Sequence, residues 1–283
     1  MLNNEEFDAS EMSLSSYNIL RSRGEERFIA IPVFPSRVFR HSAVYLRDDS
    51  PIRAPADLAG RRVGVGDYQM TAAVWARGFL EHEYGVKPEA IRWLAGRGVR
   101  PVAVPEKVSL EYTRHDLEDL LIRGEIDALV SVMLPRRLGS GIRRLFPNYR
   151  EVESDYYRRT RIFPIMHTLV LKRGVYEADP WLAVSLYKAF CRARDVAYQW
   201  LTDTDALPVA LPWIIDEVER SRELFGREIW DYSVEGSRPT LEALVAYAHE
   251  QGLTEKKLPI EALFAPNIRP EMGQYLHATG EDR

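Results

Sequence analysis

A single cysteine, Cys191, occurs in the 283 residues, so no intramolecular disulfide can form and no cysteine-based metal motif is available. It falls in the helical run Trp181–Leu201, where a buried, inert thiol is expected. Long apolar runs are missing as well. No stretch approaches the roughly 20 apolar residues that a membrane-spanning helix needs. The opening Met-Leu-Asn-Asn-Glu-Glu-Phe-Asp has neither the basic leader nor the apolar stretch of a secretory signal. A cytoplasmic protein without membrane contact is expected. Basic charge is not in excess either: 38 Lys and Arg against 42 Asp and Glu give a net charge of -4, which offers nucleic acid no bulk attraction. Local clusters such as Arg136-Arg137 and Arg143-Arg144 read as solvated faces. No internal repeat of fixed period occurs.

What is present is the composition of a folded globular protein, with 46% hydrophobic and 28% charged residues. Single cores stop growing at roughly 250–300 residues, so the length leaves room for two compact units. Short apolar runs alternate with helical patterns. Phe28–Val33 and Ser42–Arg47 read as strands, followed by Arg62–Val65, a buried strand bounded by glycines. A helix opens at Asp67-Tyr-Gln-Met-Thr and runs to about Tyr84, with Gly85 as its stop. Strand Ala90–Ala95, helix Leu117–Arg123 and strand Ile126–Val132 continue the alternation, which predicts parallel α/β packing. A helix at Glu151–Tyr157 precedes a strand near Phe163–Lys172 that carries His167. Beyond it, helices are predicted at Pro180–Leu201, Trp213–Phe225 and Thr240–Gln251, with an extended tail from Leu258 that wraps the surface or frays.

Two sheet-forming regions joined by long strands imply two lobes: residues 1–46 and 164–283 in the first, 47–163 in the second. A ligand would bind in the cleft between them, at strand ends and helix amino termini. Pro32–Arg47 contains Arg37, Arg40 and His41 directly before a strand, and two fixed cations with a titratable imidazole make an anion-binding set. The competing reading is a surface strand with solvated arginines. The turn and helix start at Tyr68, Gln69, Met70 and Thr71 offer backbone N–H groups and the positive end of a helix dipole to an anion.

Several long motifs, in order, extend this reading. They are Glu6-Phe-Asp-Ala-Ser-Glu-Met-Ser-Leu-Ser-Ser-Tyr17, Pro32–Arg47, Gly64-Val-Gly-Asp-Tyr-Gln-Met-Thr-Ala-Ala-Val-Trp75, Gly124-Glu-Ile-Asp-Ala-Leu129 and Phe163-Pro-Ile-Met-His167. Through them the chain resembles the 4,5-dihydroxyphthalate decarboxylase family, a branch of the periplasmic-binding-protein-like (type II) fold. Members of that family usually carry a further strand, helix and strand ahead of the Phe-Asp-Ala-Ser-Glu-Met segment, so the resemblance implies a first lobe lacking its amino-terminal strands.

The resemblance also implies loss of one carboxylate from a dihydroxylated aromatic diacid, giving 3,4-dihydroxybenzoate and carbon dioxide. A hydroxyl para to the leaving group lets the ring accept a proton at the carboxylated carbon, and departure of carbon dioxide restores aromaticity. Such a site needs a proton donor, an acceptor for the catechol and a grip on the retained carboxylate. The residues assigned are His41 or His167 for the proton, Glu11 for the catechol, and Arg37 and Arg40 for the carboxylate. Ser13, Tyr68, Gln69, Met70 and Thr71 orient the ring. Each has a plainer alternative: Glu11 as the cap of a helix starting near Ser10, His167 as a core histidine, Tyr68 and Met70 as packing. No cofactor is expected and no metal site is assigned. A divalent ion chelated by the catechol, near His41, His167, Glu11 and Asp67, would nonetheless suit the chemistry. The expected partner is a small aromatic acid, with self-association left open. The competing function is a solute-binding protein that closes on a small organic acid without chemistry.

Overall fold

The computed structural model describes residues 5–96 and 103–273. Two sheets organise the chain. The smaller has three strands, β1 (Ala9–Ser13), β2 (Phe28–Arg37) and β9 (Ile165–Lys172), in the order β1-β9-β2, both pairings antiparallel. The larger has six, β3 (Val44–Arg47), β4 (Arg62–Val65), β5 (Arg92–Ala95), β6 (Ser109–Tyr112), β7 (Ala128–Val130) and β8 (Ile142–Arg144), in the order β6-β5-β4-β7-β3-β8. Its β4, β5, β6 and β7 are mutually parallel and β3 and β8 antiparallel to their neighbours. The chain crosses from the small sheet to the large one between β2 and β3, and returns through a helix, Tyr149–Thr160, that leads into β9.

The first motif folds differently from the expected cap. Residues 9–13 alternate around one buried residue, Met12, and pair with β9 as an edge strand. Helix α1 (Leu14–Ser22) starts only afterwards, with Ser13 as its cap accepting the Ser16 N–H. Glu11 is therefore a strand residue. Helix α2 (Thr71–Tyr84) stops at Gly85, which takes the left-handed conformation with φ 70° that a side chain disfavours. Helices α3 (Leu117–Arg123), α4 (Tyr149–Thr160), α5 (Arg173–Ala178), α6 (Trp181–Leu201), α7 (Ile214–Phe225) and α8 (Arg238–Glu250) complete the set. Part of the predicted tail packs rather than frays: Ile260, Leu263, Phe264 and Ala265 are buried, and the Ala265 N–H donates to the Ala30 carbonyl. Residues 274–283 lie outside the described residues.

Helix α2 ties the two sheets together. All of Thr71–Leu80 is buried, an all-round burial that only a helix enclosed by both layers can have. Trp75 donates through Nε1 to the Ile165 carbonyl of β9 at 2.9 Å and meets Tyr247 of α8 edge-on at 5.6 Å. Arg77 lies under the Tyr68 ring, 3.7 Å from its centroid, and donates to the Tyr68 carbonyl and to Gln251, beyond the end of α8. Gln251 in turn donates to the Val74 carbonyl at 3.0 Å. Among the described residues no helix is long and apolar enough to cross a membrane.

Candidate active site

The register of the small sheet decides which side chains share a face. Ser13 of β1 and Ser36 of β2 both lie opposite His167 of β9, and Glu11 is two positions from Ser13, so all four project to one side. There Nδ1 of His167 meets Oε1 of Glu11. With Nδ1–H donating to the carboxylate, Nε2 is left to face solvent or a ligand. The pair is open, the His167 side chain 42% and the Glu11 side chain 51% exposed.

The amino terminus of α2, which follows β4 of the larger sheet, meets this face. The Ser13 and Thr71 hydroxyls are 2.9 Å apart, the Ser15 hydroxyl donates to the Gln69 carbonyl at 2.6 Å, and the Ser15 N–H donates to Thr71 Oγ1 at 3.2 Å. Two helix amino termini, those of α1 and α2, thereby converge beside the Glu11–His167 pair. No side chain caps α2 at Met70. The first N–H groups of a helix have no partner within it, and with the dipole they favour an anion. The Gly66–Met70 turn between β4 and α2 is held by Asp67, whose carboxylate accepts the Gln69 N–H at 3.0 Å. Burial raises the Asp67 pKa against that hydrogen bond.

The structure thus brings together Glu11, Ser13, His167, Gln69, Met70 and Thr71. The other four lie apart from the pair. Arg37 follows an irregularity in the β2–β9 register between Ser36 and Arg37, so simple alternation does not set its direction. It is buried, donating to the Asp231 carbonyl and the Ser237 hydroxyl, and burial lowers its pKa to about 10. Arg40 is also buried, its Nε 3.3 Å from Met166 Sδ, with burial again lowering its pKa. His41 sits in an aromatic box: its ring stacks on Phe79 at 4.1 Å and meets Phe146 and Tyr156 edge-on at 5.4 and 5.2 Å. Burial pushes its pKa down to about 4, which disfavours the protonated form. Tyr68 is buried and carries Arg77 on its ring. Among the described residues no three His, Cys, Asp or Glu side chains group closely enough to hold a metal ion.

Sequence reasoning passed over Ser15 and Ser36. Ser15 was hidden because α1 was expected to begin earlier. Once Ser13 is its cap, the first turn of α1 must face the neighbouring helix start. Ser36 carries no signal of its own in the sequence, since its place opposite His167 follows irregularities in the β2–β9 register.

No protein-family model matches the chain. Among curated proteins, a 4,5-dihydroxyphthalate decarboxylase of Comamonas testosteroni is 39% identical over 274 residues, covering 92% of this chain and 83% of that protein. The chain belongs to the 4,5-dihydroxyphthalate decarboxylase family. A second protein of that name, from Pseudomonas putida, is 37% identical over 166 residues, or 54% of this chain and 64% of the relative. Solved structures fix the fold. The periplasmic aliphatic sulphonate binding protein SsuA from Escherichia coli superposes with a TM-score of 0.54 at 16% identity, over 94% of this chain and 82% of that one. The desulfurization enzyme DSZB gives 0.51 at 18% identity, over 96% and 87%. The decarboxylase family member described here thus has the two-lobed periplasmic-binding-protein-like fold.

Proposed function

We propose that the chain decarboxylates 4,5-dihydroxyphthalate to 3,4-dihydroxybenzoate and carbon dioxide, with His167 as the proton donor and Glu11 as its positioning partner. One observation carries the reading: a histidine–carboxylate pair stands open beside two convergent helix amino termini, in a chain 39% identical to a protein named for this reaction. The ring carbon bearing the departing carboxylate takes a proton from Nε2 of the His167 imidazolium. The bond to the carboxylate then breaks, its electron pair returns to the ring, and carbon dioxide leaves. His167 regains its proton from solvent, so each turnover is balanced by one proton taken up.

Glu11 changes role from the one the motif implied. Its carboxylate accepts from Nδ1 of His167, which fixes the ring orientation and supports the imidazolium, as the carboxylate partner of a catalytic histidine does in other proton-transfer sites. The retained carboxylate would face the uncapped start of α2, with Ser13 and the Gln69 side chain orienting it. Arg37 and Arg40, both buried, would support the fold and not grip the substrate. No step in this scheme needs an electron-sink cofactor or passes through a metal ion.

The test is incubation with 4,5-dihydroxyphthalate, following carbon dioxide and 3,4-dihydroxybenzoate together. Equal amounts of both are expected. Saturable binding of the diacid with neither product would replace the enzyme by a solute-binding protein built on the same fold.

A further inference from the structure

The larger sheet has a topological switch point beside the His167 pair. From β4 the chain moves through α2 to β5 and then β6 on one side, and returns with β7 on the other side of β4. In sheets of this kind the crevice outside the carboxyl ends of the two strands flanking the switch is where ligands bind. Here those strands are β4 and β7. Val65 pairs with Val130, so the turns that begin at Gly66 and Ser131 leave the sheet side by side, roughly one strand spacing of 5 Å apart. The first turn leads directly to Gln69 and Thr71, already in contact with Ser13 and Ser15.

The second turn is unusual in what it shows to solvent. Val132, Met133 and Leu134 are 49%, 73% and 67% exposed, three consecutive apolar side chains outside the core. A loose loop could fold such residues away, but this one is pinned. The Ser131 N–H donates to the Ala43 carbonyl at 3.1 Å, and the Ser131 hydroxyl both accepts the Met133 N–H at 3.1 Å and donates to the Met133 carbonyl at 2.8 Å. Val38, just past the end of β2, is exposed as well, and Met70 is half-buried on the turn that begins at Gly66. Apolar groups held in water at a ligand-binding crevice are stabilised when a ligand covers them.

We infer that Val132, Met133 and Leu134 form the apolar wall that takes the aromatic face of the substrate, and so select an aromatic over an acyclic diacid. This rests on the decarboxylase reading and adds to it the element that recognises the ring. Polar recognition is left to the helix amino termini and the His167 pair on the opposite side. Met133 is suited to the part, because a flexible thioether adapts to a flat ring and makes favourable sulfur–aromatic contacts.

The experiment uses the whole chain with Met133→Gln, which keeps length and flexibility but removes the apolar contact, and with Met133→Leu as the conservative control. An exposed position leaves folding intact. For Met133→Gln the expected result is a KM for 4,5-dihydroxyphthalate raised about tenfold with kcat within twofold, a matching loss of phthalate affinity by calorimetry, and unchanged inhibition by succinate. Met133→Leu should restore both. Unchanged KM and phthalate affinity in Met133→Gln and in the double variant with Leu134→Gln would overturn the assignment. So would equal weakening for phthalate and succinate. If the unsubstituted chain produces no carbon dioxide, the decarboxylase reading falls, and the phthalate comparison alone still decides whether this wall binds a ring.

Discussion

Nδ1 of His167 rests against the carboxylate of Glu11, two positions along β1 from the residue that His167 faces in register. A pair split between adjacent antiparallel strands is held by the sheet itself, so its geometry does not depend on a flexible loop. Replacing Glu11 by Gln keeps the shape and removes the charge. The expected result is a kcat lower by about 10²-fold with KM within threefold. An unchanged kcat would mean that His167 works without its neighbour.

Arg37 serves the fold in this account. Its Nη2 donates to the Asp231 carbonyl and the Ser237 hydroxyl, and its guanidinium lies over the Phe34 and Phe163 rings at 5.2 and 5.7 Å. Arg37→Ala would leave a cavity and two acceptors short of a donor. Stability should fall by about 2–4 kcal/mol in urea unfolding while KM moves less than threefold. A large rise in KM with stability unaltered would return Arg37 to the substrate.

His41 makes a pH-dependent contribution. Its pKa is near 4 in the folded chain and 6.5 without the burial, so the unfolded chain takes up the proton first as pH falls. The stabilisation is whole above pH 6.5 and is lost as pH drops toward 4, an effect of about 3 kcal/mol at most. His41→Phe keeps a ring in the box and removes the titration. Unfolding measured at pH 7.5 and pH 4.5 should show wild type losing more stability than the variant. Parallel losses would mean that the box admits the charged ring.

Gly78 permits the contact between α2 and α8. A methyl group there would run into the ring of Tyr247. Gly78→Ala is expected to destabilise by about 1–3 kcal/mol, despite the higher helix propensity of alanine. A stabilised variant would show that the two helices can separate freely.

Much of the architecture was legible because periodicity and glycine punctuation agreed. Arg62–Val65 and Leu117–Arg123 form the predicted elements with the predicted limits, and α2 ends where Gly85 said it would. The short edge strands β6 and β8 were not legible, since three or four residues carry too little alternation to separate them from loop. At the site, Glu11, Ser13, His167 and the turn before α2 could be listed from their motifs. Which of two neighbouring residues faces the cleft could not, because a one-residue change of register exchanges the faces of a strand. Arg37 was misjudged for a further reason: the Asp231 and Ser237 groups it donates to lie some 200 residues away in sequence, and the β2–β9 register is irregular beside it. His41 illustrates a second limit: the aromatic residues that surround it come from α2, the loop before α4 and α4 itself, far apart in sequence.

The most direct test of the account is turnover of 4,5-dihydroxyphthalate by His167→Asn. Loss of the proton donor should lower carbon dioxide release by at least about 10²-fold while phthalate binds with unchanged affinity. A variant that still releases carbon dioxide at the wild-type rate would contradict the assignment of the proton to His167, and with it the chemistry derived from the Glu11 pair.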